Sequence, residues 1–158
     1  MGVAVLSGQE LDYYGVKTIT RRSSPSSILT QTRQIVRKLI ILHIPDVLAI
    51  ERPFLGYGNR SSVLVAACQE IQQLAKNEGL EVIEINPKTA KKLVGGNGSA
   101  TKREVARIVC LRYPELQIYL GQTHKYKDKY WQNMFDAVAI GLAAIISRGE
   151  SAFVNLER

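Results

Sequence analysis

Hydrophobic and polar positions change period several times along the 158-residue chain. Gly2-Val3-Ala4-Val5-Leu6 is short and apolar, and Ser7-Gly8-Gln9-Glu10 then supplies turn chemistry. Leu11, Tyr13 and the β-prone Val16-Lys17-Thr18-Ile19-Thr20 follow, so the pattern predicts a hairpin with strands over 2–7 and 11–20. The serines of Arg21-Arg22-Ser23-Ser24-Pro25-Ser26-Ser27 offer an N-cap to a helix over 26–43. Its apolar stripe is Ile28, Leu29, Ile35, Val36, Leu39, Ile40 and Leu42, with Arg33, Arg37 and Lys38 off the stripe. His43 closes that helix in a capping or packing role.

Val47-Leu48-Ala49-Ile50 is apolar on consecutive positions, and Pro45, Asp46 and Pro53 punctuate its ends. This predicts a strand covered on both faces, as in the centre of an α/β sheet. It stops on Glu51, followed by Arg52-Pro53-Phe54 and a glycine-rich loop, Gly56-Tyr57-Gly58-Asn59. Helical spacing returns over about 61–78, and Leu80–Ile85 reads as an extended segment. Pro87 opens a short helix, a second helix runs from Ala100 or Thr101 to Tyr113, and the last spans about Trp131 to Ser147. Between the last two, Gly121 to Tyr130 reads as a polar, basic stretch. The order strand-strand-helix-strand-helix-strand-helices, without repeats or a linker, predicts one mixed α/β domain in three layers over 1–158.

Composition adds a partner class. The net charge of +7 points towards a polyanion, while 46% hydrophobic residues suits a globular core. No apolar stretch approaches the roughly 18 residues that cross a bilayer, so no membrane partner is expected. Gly2–Leu6 is too short for a signal sequence and lacks a basic flank, and Cys68 and Cys110 lack metal-ligand spacing. The expectation is a cytoplasmic protein with reduced, packed thiols.

The candidate chemistry lies in two carboxylates on separate elements. Glu51 ends an apolar strand, where open sheets keep their ligands, and Asp136 interrupts the apolar run Met134–Ile140. Converging acids of this kind hold divalent ions that activate water for phosphodiester hydrolysis; Mg²⁺ suits carboxylate and water ligands, with Mn²⁺ in its place. Asn133, three residues before Asp136, can share its helix face but brings no charge. The competing reading is a strand-end Glu and a helix Asp making ordinary hydrogen bonds. Lys88, Lys91, Lys92, Lys102, Arg103 and Arg107 flank the glycine loop 95–98 and a helix start, a setting that suits phosphate. His124–Trp131 interleaves bases with aromatics, as nucleic-acid surfaces often do. A solvated loop is the alternative for each cluster. Phe54 and Tyr57, just past Glu51, could stack on a base, though Phe54 equally suits a core.

Three segments, in order and spacing, resemble one family. Ala49-Ile50-Glu51-Arg52-Pro53-Phe54 with Asn59, then Lys91 followed by Val94-Gly95-Gly96-Asn97-Gly98-Ser99-Ala100-Thr101-Lys102, then Asp136-Ala137-Val138-Ala139-Ile140-Gly141-Leu142 are similar to the RuvC-type Holliday junction resolvases. The likeness covers nearly the whole chain. It implies an RNase H-like three-layer α/β/α fold with a mixed sheet, and a homodimeric, Mg²⁺-dependent endonuclease acting on four-way junctions or other branched DNA in recombination and repair. Carried over, Glu51 and Asp136 become metal-binding acids, Phe54 a base contact at the junction centre, and Lys91 and Lys102 bases near the DNA backbone. The dimer interface is expected on the helix over 61–78.

Two departures stand out. Gly2-Val3-Ala4-Val5 matches the family's second strand, so the first strand, with its catalytic Asp, has no counterpart here, and Asp12 falls on the following strand. Asn133 stands where an Asp or His is usual. A central strand left out of a sheet exposes backbone groups at a cost of about 1–3 kcal/mol each. A strand upstream of Met1, an intermolecular strand or direct pairing of the flanking strands would fill the place. Two carboxylates imply at most a weak single-ion site and slow cleavage or none.

Overall fold

The computed structural model describes residues 1–19, 24–53, 59–121 and 125–149, leaving aside the side chains of 59–61 and 125–129. Phe54, Tyr57 and the loop they stand on lie outside these residues. The elements are β1 (Gly2–Ser7), β2 (Glu10–Val16), α1 (Pro25–His43), β3 (Val47–Glu51), α2 (Asn59–Asn77), β4 (Glu81–Ile85), α3 (Pro87–Gly95), α4 (Lys102–Arg112), a 3-10 turn (Pro114–Tyr119) and α5 (Lys125–Ser147). They group into two compact units. One joins Met1–Lys17 to the chain from Ile85 onward, and the other is Thr18–Glu84. The described strands form two-stranded sheets, β1 with β2 and β3 with β4.

In the first unit β1 and β2 run antiparallel, from Gly2 opposite Val16 to Ser7 opposite Glu10, with an irregularity between Val5 and Leu6. Gly8, at φ 56°, makes the turn that a side chain would strain. β1 packs on α5, which also meets β2, α3 and α4. The core follows from the sequence of α5: Met134, Phe135, Val138, Leu142 and Ala143 recur at helical spacing and are almost wholly buried. Val105, Val109 and Leu116 close over them from α4 and the turn after it. α4 begins with a full capping box. The Thr101 hydroxyl accepts from the Glu104 N–H, while the Glu104 carboxylate accepts from the Thr101 N–H.

In the second unit α1 packs on α2 and α2 on β3. α1 starts as its serines require, with the Ser24 hydroxyl capping Ser27 N–H and Pro25 in the first turn. Past His43 the helix ends on Ile44 in the left-handed region, φ 46°, a conformation glycine normally supplies. Val36, Ile71, Leu74, Ala75 and Leu80 form the core. Arg33 on α1 and Glu70 on α2 add an ion pair at 2.8 Å.

Three expectations change. Val47–Ile50 is only half-buried, not covered on both faces, and among the described residues β3 pairs with β4 alone. β2 stops at Val16 rather than near residue 20. The last helix starts at Lys125, so the basic stretch before Trp131 is helical. Its lysines are good helix formers, and it leads without a break into the apolar helical run that follows Trp131. The 3-10 turn at Pro114–Tyr119 was not expected from periodicity; Pro114 at its first position is the sequence signal.

Candidate active site

The first unit carries Asp136 on α5 and the bases of α3 and α4. Met134 and Phe135 point into the core, which turns Asp136 partly outward on the next position of the helix. Its two oxygens are both engaged: Oδ2 accepts from Lys102 Nζ at 2.7 Å, and Oδ1 from Gln132 Nε2 at 2.8 Å. Gln132 lies one turn back on the same helix, the spacing at which side chains meet. Lys102 is the first residue of α4, immediately after its Thr101 cap. The capping box therefore fixes where the ammonium group starts, and α5 fixes where the carboxylate stands.

Around this pair, Arg103 and Lys92 are exposed and Lys91 half-buried. α3, which carries Lys91 and Lys92, packs on both α4 and α5. Asn86 caps α3 by accepting from Lys88 N–H. The loop between α3 and α4 is held by Asn97, whose side-chain oxygen takes both the N–H and the hydroxyl of Ser99. Gly95 lets that loop lie close: a Cβ there would come within 3.2 Å of the Ala100 Cβ. Asn133 is exposed, three residues before Asp136. Its backbone carbonyl is met closely by Gly2, where a Cβ would fall 1.7 Å from the oxygen. β1 thus sets the position of the α5 turn that carries Asn133 and Asp136.

In the second unit Glu51 is exposed at the end of β3. Beside it in sequence, Arg52 pairs with Glu84 at 3.1 Å, and Gln72 donates to the other Glu84 oxygen at 2.7 Å. The bonds from Gln72 and Arg52 hold the Glu84 carboxyl below the usual range. Burial first, then the Glu51 and Glu84 charges, push the Cys68 thiol up, which keeps it protonated and inert. Cys110, in the other unit, is raised by burial alone. Both are free thiols, as expected.

Among the described residues, no group of three or more His, Cys, Asp or Glu is placed to hold a metal ion. Asp136 brings one carboxylate from α5, and Asn133, three residues before it, is neutral. The described donors therefore do not fit a centre that binds two divalent ions through carboxylates. What the arrangement of α4 and α5 can do is attract phosphate: the Lys102 ammonium and the exposed Arg103 stand on the first turn of a helix, where the helix dipole favours an anion.

The family model described as "Crossover junction endodeoxyribonuclease RuvC" matches residues 1–143. The chain belongs to the RuvC family. Curated relatives named Crossover junction endodeoxyribonuclease RuvC include one from Akkermansia muciniphila, 31% identical over 92% of this chain and 84% of its own length. Another, from Dehalococcoides mccartyi, is 30% identical over 98% of this chain and 88% of its own. The structure titled "T. thermophilus RuvC in complex with Holliday junction substrate" is similar with a TM-score of 0.71 and 17% identity, covering 96% of this chain and 88% of that one. A further Thermus thermophilus RuvC structure matches with a TM-score of 0.67 at 20% identity, over 94% of this chain and 89% of that one. The fold is thus that of RuvC, the RNase H-like α/β class that the three sequence segments implied.

Sequence reasoning named Lys102 and Asp136 separately and missed that they touch. They lie far apart in the chain, and no local periodicity reports such a contact. Gln132 was missed as well, although its spacing from Asp136 was a usable signal.

Proposed function

We propose that this RuvC-family chain is a structure-specific DNA-binding endonuclease of the Holliday junction resolvase type, acting on four-way junctions or other branched DNA in recombination and repair. The observation that carries the reading is the Lys102–Asp136 pair on α4 and α5, an acid and a base side by side at a helix start rich in cations. DNA phosphates are drawn by Lys91, Lys92, Lys102 and Arg103, and the exchange of Asp136 for a phosphate as the partner of Lys102 needs little energy. Exposed ion pairs contribute only about 0–1 kcal/mol, and the Lys102 side chain is 63% exposed. Phe54 and Tyr57 are the residues proposed to meet bases beside Glu51. The active form is proposed to be a homodimer through α2, because two equivalent sites suit paired nicks in symmetric strands. The protein works in the cytoplasm, where bacterial DNA is repaired.

Glu51 and Asp136 are the proposed catalytic acids, with Asn133 the neutral third position. The resemblance implies Mg²⁺ or Mn²⁺, yet the described donors do not match a two-ion centre. That mismatch favours a second reading: a branched-DNA-binding protein in which cleavage is slow or lost.

The test measures binding and nicking separately. Anisotropy with a labelled four-way junction should show tighter binding than to linear duplex, falling steeply with salt. Lys91→Ala and Lys102→Ala should weaken it without unfolding the chain. Nicking assays in Mg²⁺ or Mn²⁺ then decide between the readings, with Glu51→Gln and Asp136→Asn as controls. No preference for branched DNA, or binding insensitive to salt, overturns both; junction nicking that survives Glu51→Gln overturns the proposed acids.

A further inference from the structure

Four aromatic rings meet on the first unit, on a side of α5 that the acid–base pair does not use. Tyr119, in the 3-10 turn, lies against Trp131 of α5 with ring centroids 4.2 Å apart and planes at 42°. Tyr14 of β2 meets Tyr119 edge-on at 6.1 Å, and Tyr130 meets Trp131 edge-on at 4.9 Å. The outermost ring is Tyr130, which is 38% exposed. An exposed tyrosine on a helix is normally free to change rotamer. This one is held at both ends: its ring lies against Trp131, and its hydroxyl donates to the Val16 carbonyl at 3.3 Å. The entropy of fixing that ring has already been lost on folding, so a flat partner arriving on it meets a preorganised surface.

The chemistry around the rings selects the partner. Tyr130 follows Lys125, Lys127 and Lys129 along the first turns of α5, while Asp128 is the one acid among them. The opposite end of the cluster is different: the Glu115 charge contributes to raising the Tyr14 phenol, behind burial and Tyr119. An anionic, ring-bearing chain suits a stretch of sequence with three lysines against one acid just before Tyr130. A fully paired duplex shows only backbone and groove edges there, whereas an unpaired strand offers a base face together with its phosphate.

We infer that Tyr130, fixed by Trp131 and Val16 on a helix whose opening sequence is rich in lysine, is a stacking site for an unpaired nucleobase of a DNA strand. The site is additional to the proposed base contacts at Phe54 and Tyr57. It rests on the reading of the chain as a DNA-binding protein, and supplies that reading with a preference for strands that have left the duplex.

The chain contains a single tryptophan, so its fluorescence reports this cluster alone. The full chain is titrated with a short oligothymidine, and separately with a blunt linear duplex and a four-way junction of fully paired arms. The expected result is saturable quenching of Trp131 by oligothymidine. Tyr130→Ala should weaken oligothymidine binding about 5- to 100-fold, as expected for one stacked base, and change linear-duplex affinity less than about twofold. Tyr130→Phe, which keeps the ring, should retain most of the affinity, and Tyr130→Leu, which keeps bulk without a π face, should not. Should Tyr130→Ala fail to fold by circular dichroism, the Phe and Leu pair carries the comparison. Oligothymidine that leaves Trp131 unquenched overturns the inference, as do equal losses for paired and unpaired DNA. Junction selectivity that survives in Tyr130→Ala with no oligothymidine effect would sink this site and leave the proposed function standing. Quenching by oligothymidine without any junction preference would do the reverse.

Discussion

Replacing Gly2 with alanine tests how closely β1 is set against α5. The new methyl would lie 1.7 Å from the Asn133 oxygen, 2.3 Å from its carbon and 2.9 Å from Met134 nitrogen. All three are backbone atoms of a helix, so no rotamer change relieves the clash. Either β1 lifts from α5, or the first residues of the strand peel away. Lifting β1 is overpacking and costs about 1–3 kcal/mol. Peeling breaks the Lys17 N–H bond to the Met1 carbonyl at 2.8 Å and the terminal amine bond to the Lys17 carbonyl at 2.9 Å. Two such bonds are worth roughly 1–3 kcal/mol net, so neither escape is cheap. Gly141→Ala, on the same contact, is the matched control. There the methyl meets the Leu6 Cδ1 at 2.5 Å, while the next Leu6 atom is at 3.8 Å, so one flexible side-chain end must turn. That costs about 0.5–1.5 kcal/mol and is offset by about 1 kcal/mol of helix propensity. Thermal unfolding followed by circular dichroism separates them. At roughly 2–4 °C per kcal/mol, Gly2→Ala should lower Tm by about 2–12 °C and Gly141→Ala should stay within about 3 °C. An unchanged Tm for Gly2→Ala, or a larger loss for Gly141→Ala, would refute the close β1–α5 contact.

The other predictions can be checked with the same purified protein. Thr32 is 2% exposed, and its hydroxyl has no hydrogen-bond partner among the described residues; Thr32→Val should raise stability by about 1 kcal/mol in urea unfolding. Glu84 and Glu104 are both held below the usual carboxylate range, Glu84 by Gln72 and Arg52, Glu104 by the N–H and hydroxyl of Thr101. Because their folded pKa values are depressed, the stability they add is complete above the usual glutamate pKa of about 4.3 and is lost as pH falls through the folded values. The acid limb of a stability–pH curve should therefore flatten in the Glu84→Gln, Glu104→Gln double variant. Lys102→Met should leave Tm within about 2 °C, since an exposed ion pair contributes little, while lowering the salt slope of junction binding by about one phosphate contact.

Much of the helical framework was legible because capping and periodicity are local. The serines before the first long helix, Pro87, and the start at Ala100 or Thr101 mark helix starts that the structure keeps to within a residue or two. The strands were harder. The apolar run Val47–Ile50 says that a strand forms there but not how many neighbours it has, and it proves half-covered. Lys125–Tyr130 was expected as a polar, basic stretch ahead of the last helix, because its charges and aromatics show no apolar period. In the candidate site, residue types were readable and contacts were not. Asp136 announces itself by interrupting an apolar run, whereas its pairing with Lys102 depends on how α4 meets α5. The aromatic cluster shows the same limit: Trp131 and Tyr130 were visible beside the lysines, but Tyr14 and Tyr119 join them only through the fold.

The division of the first unit into two stretches of chain bears on how the protein is made. Residues Met1–Lys17 are synthesised before Thr18–Glu84, yet β1 packs on α5, which follows that segment in the chain. Two strands alone are marginally stable in water, so the early hairpin has no lasting structure until α5 arrives. Thr18–Glu84 is continuous and contains its own helix partners, so it can order while the rest is still being translated. Closing the first unit then means joining ends separated by that whole segment, a non-local step of the kind that slows folding. The apolar face of β1 stays open throughout that interval. A nascent chain stalled before α5 should be the species that most needs a chaperone.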